Sequence, residues 1–159
     1  MEENTAVIHM TAAEYQKMLR EQAGKKTKYH NKYVYIYEDG YVSNEKDLPN
    51  HGRMTERVDS VKEYRRGCEL RLLERSGTIS CLQKQVPLTI EDSFQDSSGK
   101  THRAVTYKAD FVYTENGKTV VEDVKGVDKN TGKPQTTEAF RLKWKLLQSR
   151  YPERDFRIY

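Results

Sequence analysis

From Ala104 to Gly126 apolar and polar residues alternate on both sides of Asn116-Gly117. Asn-Gly between two such runs predicts a β-hairpin, because a type I′ turn needs positive φ at both central positions. A two-residue turn sets the register by counting. Glu115 faces Lys118, Tyr113 faces Val120, Phe111 faces Glu122 and Asp110 faces Asp123. Strict alternation puts Val105, Tyr107, Ala109, Phe111 and Tyr113 on one face with Val120, Glu122 and Val124. Asp110, Asp123 and Lys125 then share the other face with Val112 and Val121.

The rest of the pattern supplies further elements. Thr11-Ala-Ala-Glu14 is a capping box for a helix to about Gln22. Lys32–Val42 reads as a strand entering a short hairpin at Asp39-Gly40, and residues 44–55 as a polar loop. Asp59 or Ser60 caps a second helix, running to about Arg75 and stopped by Gly77. Its apolar stripe is Val61, Tyr64, Cys68 and Leu72, with Glu69 on the margin and Glu63 nearly opposite. Ile79–Ile90 alternates as a half-buried strand, and Pro87 puts it at an edge or a bulge. Gln85 has the opposite parity to its apolar residues. Glu91–Lys100 is a turn-rich loop, and residues 128–137 form a flexible polar one. Thr136 or Thr137 caps a last helix to about Arg150, with Phe140, Trp144, Leu147 and Tyr151 as its core stripe. Leu142 and Leu146 widen that arc, Lys143 projects within it, and Arg141 and Lys145 face solvent. Residues 155–159 form a last strand.

Composition narrows the class. The chain has 159 residues, 35% hydrophobic and 33% charged, which predicts one compact domain with a wide polar surface. A net charge of +4 permits a local nucleic-acid-binding face without demanding one. Cys68 and Cys81 read as reduced core thiols of a cytoplasmic protein. No signal sequence or membrane-length apolar run is present. The basic stretch at residues 24–28 lacks the first glycine and the strand of a phosphate-binding loop, so no nucleotide cofactor is expected.

The register carries the chemistry. Two carboxylates facing each other across a hairpin have Cβ atoms roughly 5 Å apart. At an effective dielectric of about 20 they repel by very roughly 3 kcal/mol. A hard divalent cation bridging Asp110 and Asp123 removes that repulsion, and Lys125 adds a positive charge beside it. An exposed acid pair with Lys125 as its counter-ion is the alternative.

Asp110 followed by Asp123-Val124-Lys125 resembles the signature of the PD-(D/E)XK nuclease superfamily. The wider run resembles a phage-encoded group of small restriction-endonuclease-like proteins, grouped with Holliday junction resolvases. The matching pieces are Ser60-Val-Lys-Glu63, Leu72–Gly77, Gln85, Tyr107–Phe111, Glu122–Gly126, and Phe140–Lys143 followed by Tyr151.

The resemblance implies an α/β fold, with a mixed central sheet of αβββαβ order flanked by helices over residues 59–159. An N-terminal helix and hairpin extension would occupy residues 1–58. It also implies one or two Mg²⁺ or Mn²⁺ ions held by Asp110, Asp123 and the helix acid, with the Val124 carbonyl as a further ligand. The resemblance places that acid at Glu63, whereas periodicity prefers Glu69. Lys125 then orients water and stabilises developing charge. Gln85 is a contact beside the metal or the DNA. Lys143 is either a second basic group at the phosphate, or a snorkelling or Glu122-paired lysine. Glu122 itself should meet a cation or a helix instead of the metal. Lys108, Lys129, Arg141, Lys143 and Lys145 are the expected DNA contacts. The expected partners are branched or duplex DNA and a second copy of the chain.

Overall fold

The computed structural model describes residues 32–159, and residues 33–159 form one compact unit. The helix expected from Thr11 and the basic stretch at residues 24–28 lie outside the described residues. The elements run β1 (Val34–Tyr37), β2 (Val42–Ser43), a 3₁₀ turn (Pro49–His51), β3 (Met54–Val58), α1 (Val61–Arg75) and β4 (Ile79–Glu91). They continue with β5 (Phe94–Gln95), β6 (Thr101–His102), β7 (Val105–Glu115), β8 (Lys118–Asp123), α2 (Glu138–Arg150) and β9 (Asp155–Ile158).

The main sheet has the order β4-β7-β8-β9 and is mixed, because β8 and β9 are parallel. Asn116 and Gly117 have φ of 50° and 76°, as the hairpin turn requires. The counted register holds from Glu115↔Lys118 through Phe111↔Glu122. Edge strand β4 accommodates Pro87, which sits opposite Lys108 on β7. Both helices begin as expected. The Ser60 hydroxyl accepts from the Glu63 N–H, and the Thr137 hydroxyl from the Phe140 N–H.

Consecutive residues Val120 and Val121 are both fully buried, in different clusters. They point to opposite faces of β8. Val121 packs with Phe140, Trp144 and Leu147 of α2, and Val120 with Leu70 and Leu73 of α1. The sheet is therefore sandwiched between the two helices.

Several expectations are corrected. The stretch expected to be loop up to Thr55 ends in β3, which pairs with β1 in a separate three-stranded sheet of order β2-β1-β3. Short strands β5 and β6 pair within and just after the expected loop at residues 91–100. Residues 128–137 are more organised than a flexible loop. A bridge between Val127 and Pro134 closes the segment, and the Asp128 carboxylate accepts from the N–H groups of Asn130 and Thr131. The cysteines are free but outside the core, Cys81 being exposed.

The inward face of α1 also differs. Glu63, Gly67 and Leu70 are its buried residues, and Leu72 is 63% exposed. A Cβ on Gly67 would lie 3.3 Å from the Phe111 ring, so the helix comes close to the sheet there. On α2 the Phe140, Trp144 and Leu147 stripe is buried as expected, but Leu142 and Leu146 are exposed.

The largest correction concerns β7. Tyr107 and Ala109 pack in the α2-side cluster, while Phe111 and Tyr113, of the same parity, pack on the α1 side. Their partners on β4 switch too. Val86, opposite Ala109, joins the α2-side cluster, and Lys84, opposite Phe111, lines a cleft with α1. Between Lys84 and Val86 stands Gln85, with φ of 54°. That left-handed residue reverses the alternation locally, so strict period-two counting fails across this level.

Candidate functional site

The site forms at the open end of the β7–β8 hairpin, where the reversal occurs. Asp110 comes from β7, Asp123 from the last position of β8, and Glu63 from the first turn of α1. Ser60 caps the helix start that presents Glu63. The Gln85 amide bridges two of the acids, donating to Glu63 Oε1 at 2.7 Å and Asp110 Oδ1 at 3.2 Å. Its unusual φ is therefore spent at the centre of the site.

Asp110 Oδ2 accepts from the Val124 N–H at 2.8 Å. Asp123 is 2% exposed and is held by two donors, the Tyr107 hydroxyl on Oδ1 and Lys125 Nζ on Oδ2. The Lys125 ammonium also lies 4.4 Å from the centroid of the Phe140 ring. Its backbone is fixed by neighbours. Lys62 Nζ donates to the Lys125 carbonyl at 2.8 Å, and the Lys125 N–H donates to the Tyr159 carbonyl at 3.0 Å. The Tyr159 N–H donates in turn to the Asp123 carbonyl at 2.9 Å.

The electrostatics follow from this crowding. Burial, and then the neighbouring charges of Asp110, Asp59 and Asp123, push the Glu63 carboxyl up to about 7. Burial and the Asp123 charge push Asp110 up to about 6, against the opposing pull of the Val124 N–H, Lys125 and Gln85. Burial and the adjacent Asp123 carboxylate hold the Tyr107 phenol protonated, well above its ordinary range. Three acids thus share a partly dry space with one ammonium bound to one of them. Among the described residues no three His, Cys, Asp or Glu side chains already enclose an ion position.

Glu122 stays out of this group, as expected of it. It is 1% exposed on the opposite sheet face, and Arg66 of α1 grips both its oxygens at 2.6 and 2.9 Å. Tyr113 adds a third donor at 2.8 Å. The cation is Arg66, so pairing of Lys143 with Glu122 is excluded. Lys143 is half-buried on α2 and forms no ion pair among the described residues. Glu69, the acid preferred by periodicity, is exposed and bound to Arg66 and Tyr159. The helix acid at the cluster is Glu63. Lys108, Lys129, Arg141 and Lys145 are exposed.

Counting missed Tyr107, Lys62 and Tyr159. Parity put Tyr107 on the wrong face, so its approach to Asp123 had no sequence signal. Lys62 is adjacent to Glu63, but nothing local indicates that it reaches a carbonyl 63 residues away.

Beside Glu63 and Gln85 opens a cleft of about 120 Å³, walled by β3, α1 and the β4–β7 pair. Among the described residues no helix is long and apolar enough to cross a membrane. No curated protein matches the sequence. The family described as "Protein of unknown function (DUF1064)" matches residues 53–158, a span that contains Glu63, Gln85, Asp110, Asp123 and Lys125.

Proposed function

The chain belongs to the DUF1064 family, whose description names no activity, and we propose that it is a divalent-metal-dependent DNA endonuclease. One observation carries the reading. Glu63, Asp110 and Asp123 come from three separate elements and lie near enough for their charges to interact, with Lys125 bound to Asp123. A fold gains no stability from burying like charges side by side. The arrangement makes sense where a cation and an anionic substrate visit it.

The donor chemistry fits Mg²⁺ or Mn²⁺. All the candidate ligands are oxygens: the carboxylates of Glu63, Asp110 and Asp123, with the Val124 carbonyl as the fourth. Such an ion, when bound, polarises a phosphoryl oxygen and lowers the pKa of a bound water. The chain's own groups have distinct tasks. Gln85 orients Glu63 and Asp110 toward each other. Lys125, anchored on Asp123, offers an ammonium to the charge that develops on the phosphate oxygens. Its ammonium is already committed to the Asp123 carboxylate, so electrostatic stabilisation suits it better than general-base work. Lys62 and Tyr159 hold the Lys125 backbone in place.

A structure-specific activity on four-way junctions, with two copies cutting symmetric strands, is the finer form of this reading. It rests on the resemblance to small junction-resolving nucleases.

A second reading has its own support. Both oxygens of Asp123 already have partners, in Tyr107 and Lys125. A DNA- or protein-binding module that keeps this scaffold without turnover would be satisfied that way.

The deciding experiment incubates the full chain with a four-way junction, a flap, a mismatch duplex and supercoiled plasmid, in Mg²⁺, Mn²⁺ or EDTA. Nicking that needs the metal and vanishes in Asp123→Ala supports the enzyme. Identical behaviour of wild type and Asp123→Ala under every condition overturns it.

A further inference from the structure

The cleft beside the acid cluster has a charge distribution of its own. Four cations line it: Arg57 on β3, Arg71 on α1, Lys84 on β4 and Lys108 on β7. Two are neutralised within the protein. Lys84 pairs with Glu56 at 2.7 Å, and Arg57 with Asp59 at 3.3 Å. Arg71 and Lys108 have no carboxylate partner among the described residues, and the only side-chain acceptor for Arg71 there is Cys68 Sγ at 3.1 Å. These two stand on different walls, one helical and one on a strand. Glu63 and Gln85 form part of the same lining, so the cleft opens directly onto the acid cluster. Gly67 and the buried Phe111 ring line it as well.

We infer that this cleft is a track for one unpaired nucleic-acid strand, whose phosphate passes between Arg71 and Lys108 as the chain leads away from the acid cluster. Two uncompensated cations on different walls of one cleft suit a polyanion threaded between them better than one lying across a surface. At about 120 Å³ the space has room for a single phosphate or base. The substrate class that follows is DNA with an unpaired strand at the cut, as at a flap, fork or open junction arm. Arg57 and Lys84, tied to acids, act as walls, so the selectivity resides in Arg71 and Lys108.

This inference rests on the nuclease reading for its chemistry, but its test needs no cleavage. Fluorescence anisotropy of labelled oligonucleotides is measured with the full chain in Ca²⁺ and in EDTA, across a salt series. The probes are a single strand, a blunt duplex and a duplex with a single-stranded flap. The single strand and the flap are expected to bind at least tenfold tighter than the blunt duplex. Lys108→Ala and Arg71→Ala, both at exposed positions, are each expected to weaken single-strand binding roughly fivefold to tenfold. Each should also lower the salt slope by about 0.7. Lys108→Glu should weaken it further, while Lys118→Ala, at the exposed start of β8, leaves it within twofold. Blunt duplex binding as tightly as the single strand, or insensitivity to both Arg71 and Lys108, overturns the track. If metal-dependent nicking persists in that event, only the track fails. If no probe binds and no substrate is nicked, the nuclease reading fails with it.

Discussion

Arg66 holds Glu122 through both carboxylate oxygens, on the sheet face opposite Asp123 and one residue before it. The pair is nearly dry, since Glu122 is 1% exposed. Glu122 also raises the proton affinity of Arg66. Removing one partner strands a buried charge, which typically costs about 3–5 kcal/mol. Arg66→Ala is therefore expected to destabilise the protein by roughly that amount in urea denaturation. Glu122→Gln, which keeps the shape and loses the charge, should cost less than Arg66→Ala. A loss below about 1 kcal/mol for Arg66→Ala would show that the pair is not buried as described.

The acid cluster makes stability depend on pH. The folded-state pKa values of Glu63 and Asp110 are raised, to about 7 and about 6, above ordinary values of 4.5 and 3.8. The folded protein then binds more protons than the unfolded chain across that window, so its stability falls as pH rises. With EDTA present, the melting temperature is expected to drop by several degrees between pH 5.5 and 8. A divalent cation needs deprotonated carboxylates, so Mn²⁺ should restore the loss at pH 8 and do little at pH 5.5. Glu63→Gln with Asp110→Asn should flatten both responses. A melting temperature that rises with pH in EDTA, with the double variant unchanged from wild type, contradicts the cluster's electrostatics.

Lys125 and Tyr107 both contact Asp123 but have separable effects. Lys125→Ala removes the ammonium bound to Asp123 and is expected to slow metal-dependent nicking by about 10²–10³-fold. Tyr107→Phe removes a hydrogen bond that orients the carboxylate, and a loss of roughly tenfold is expected. Single-turnover rates at saturating DNA and Mg²⁺ measure both. Equal losses in the two variants would mean that they act only through Asp123.

Gln85 provides a backbone test. A non-glycine residue with φ of 54° pays for that conformation, at about 1–2 kcal/mol. Gln85→Ala and Gln85→Gly both delete the amide bridge, but only glycine relieves the backbone. Gln85→Gly is expected to be more stable than Gln85→Ala by about 1 kcal/mol in thermal or urea denaturation. The opposite order, usual for a strand interior, would argue against the reversal at this residue.

Local chemistry along the chain determined most of the elements and one part of the site. Asn116-Gly117 favours one kind of turn, so the register of β7 against β8 could be counted as far as Phe111 opposite Glu122, one residue short of Asp110 and Asp123. Ser60, Thr137 and Gly77 marked helix ends because their effects act within a turn of their own backbone. The Phe140, Trp144 and Leu147 stripe repeats with the helical period and was read directly. Tertiary structure alone decided which face of α1 is buried. That helix has no apolar stripe strong enough to overrule contacts with residues far along the chain, such as Gly67 on Phe111 and Arg66 on Glu122, 56 residues on. It also decided where β4 and β7 exchange faces, because left-handed residues within β4, Cys81 and Gln85, reverse the alternation locally and leave no periodic trace. The meeting of Glu63, Gln85 and Tyr107 with the hairpin acids depends on that inversion and on the packing of α1, neither of which is encoded within a few residues.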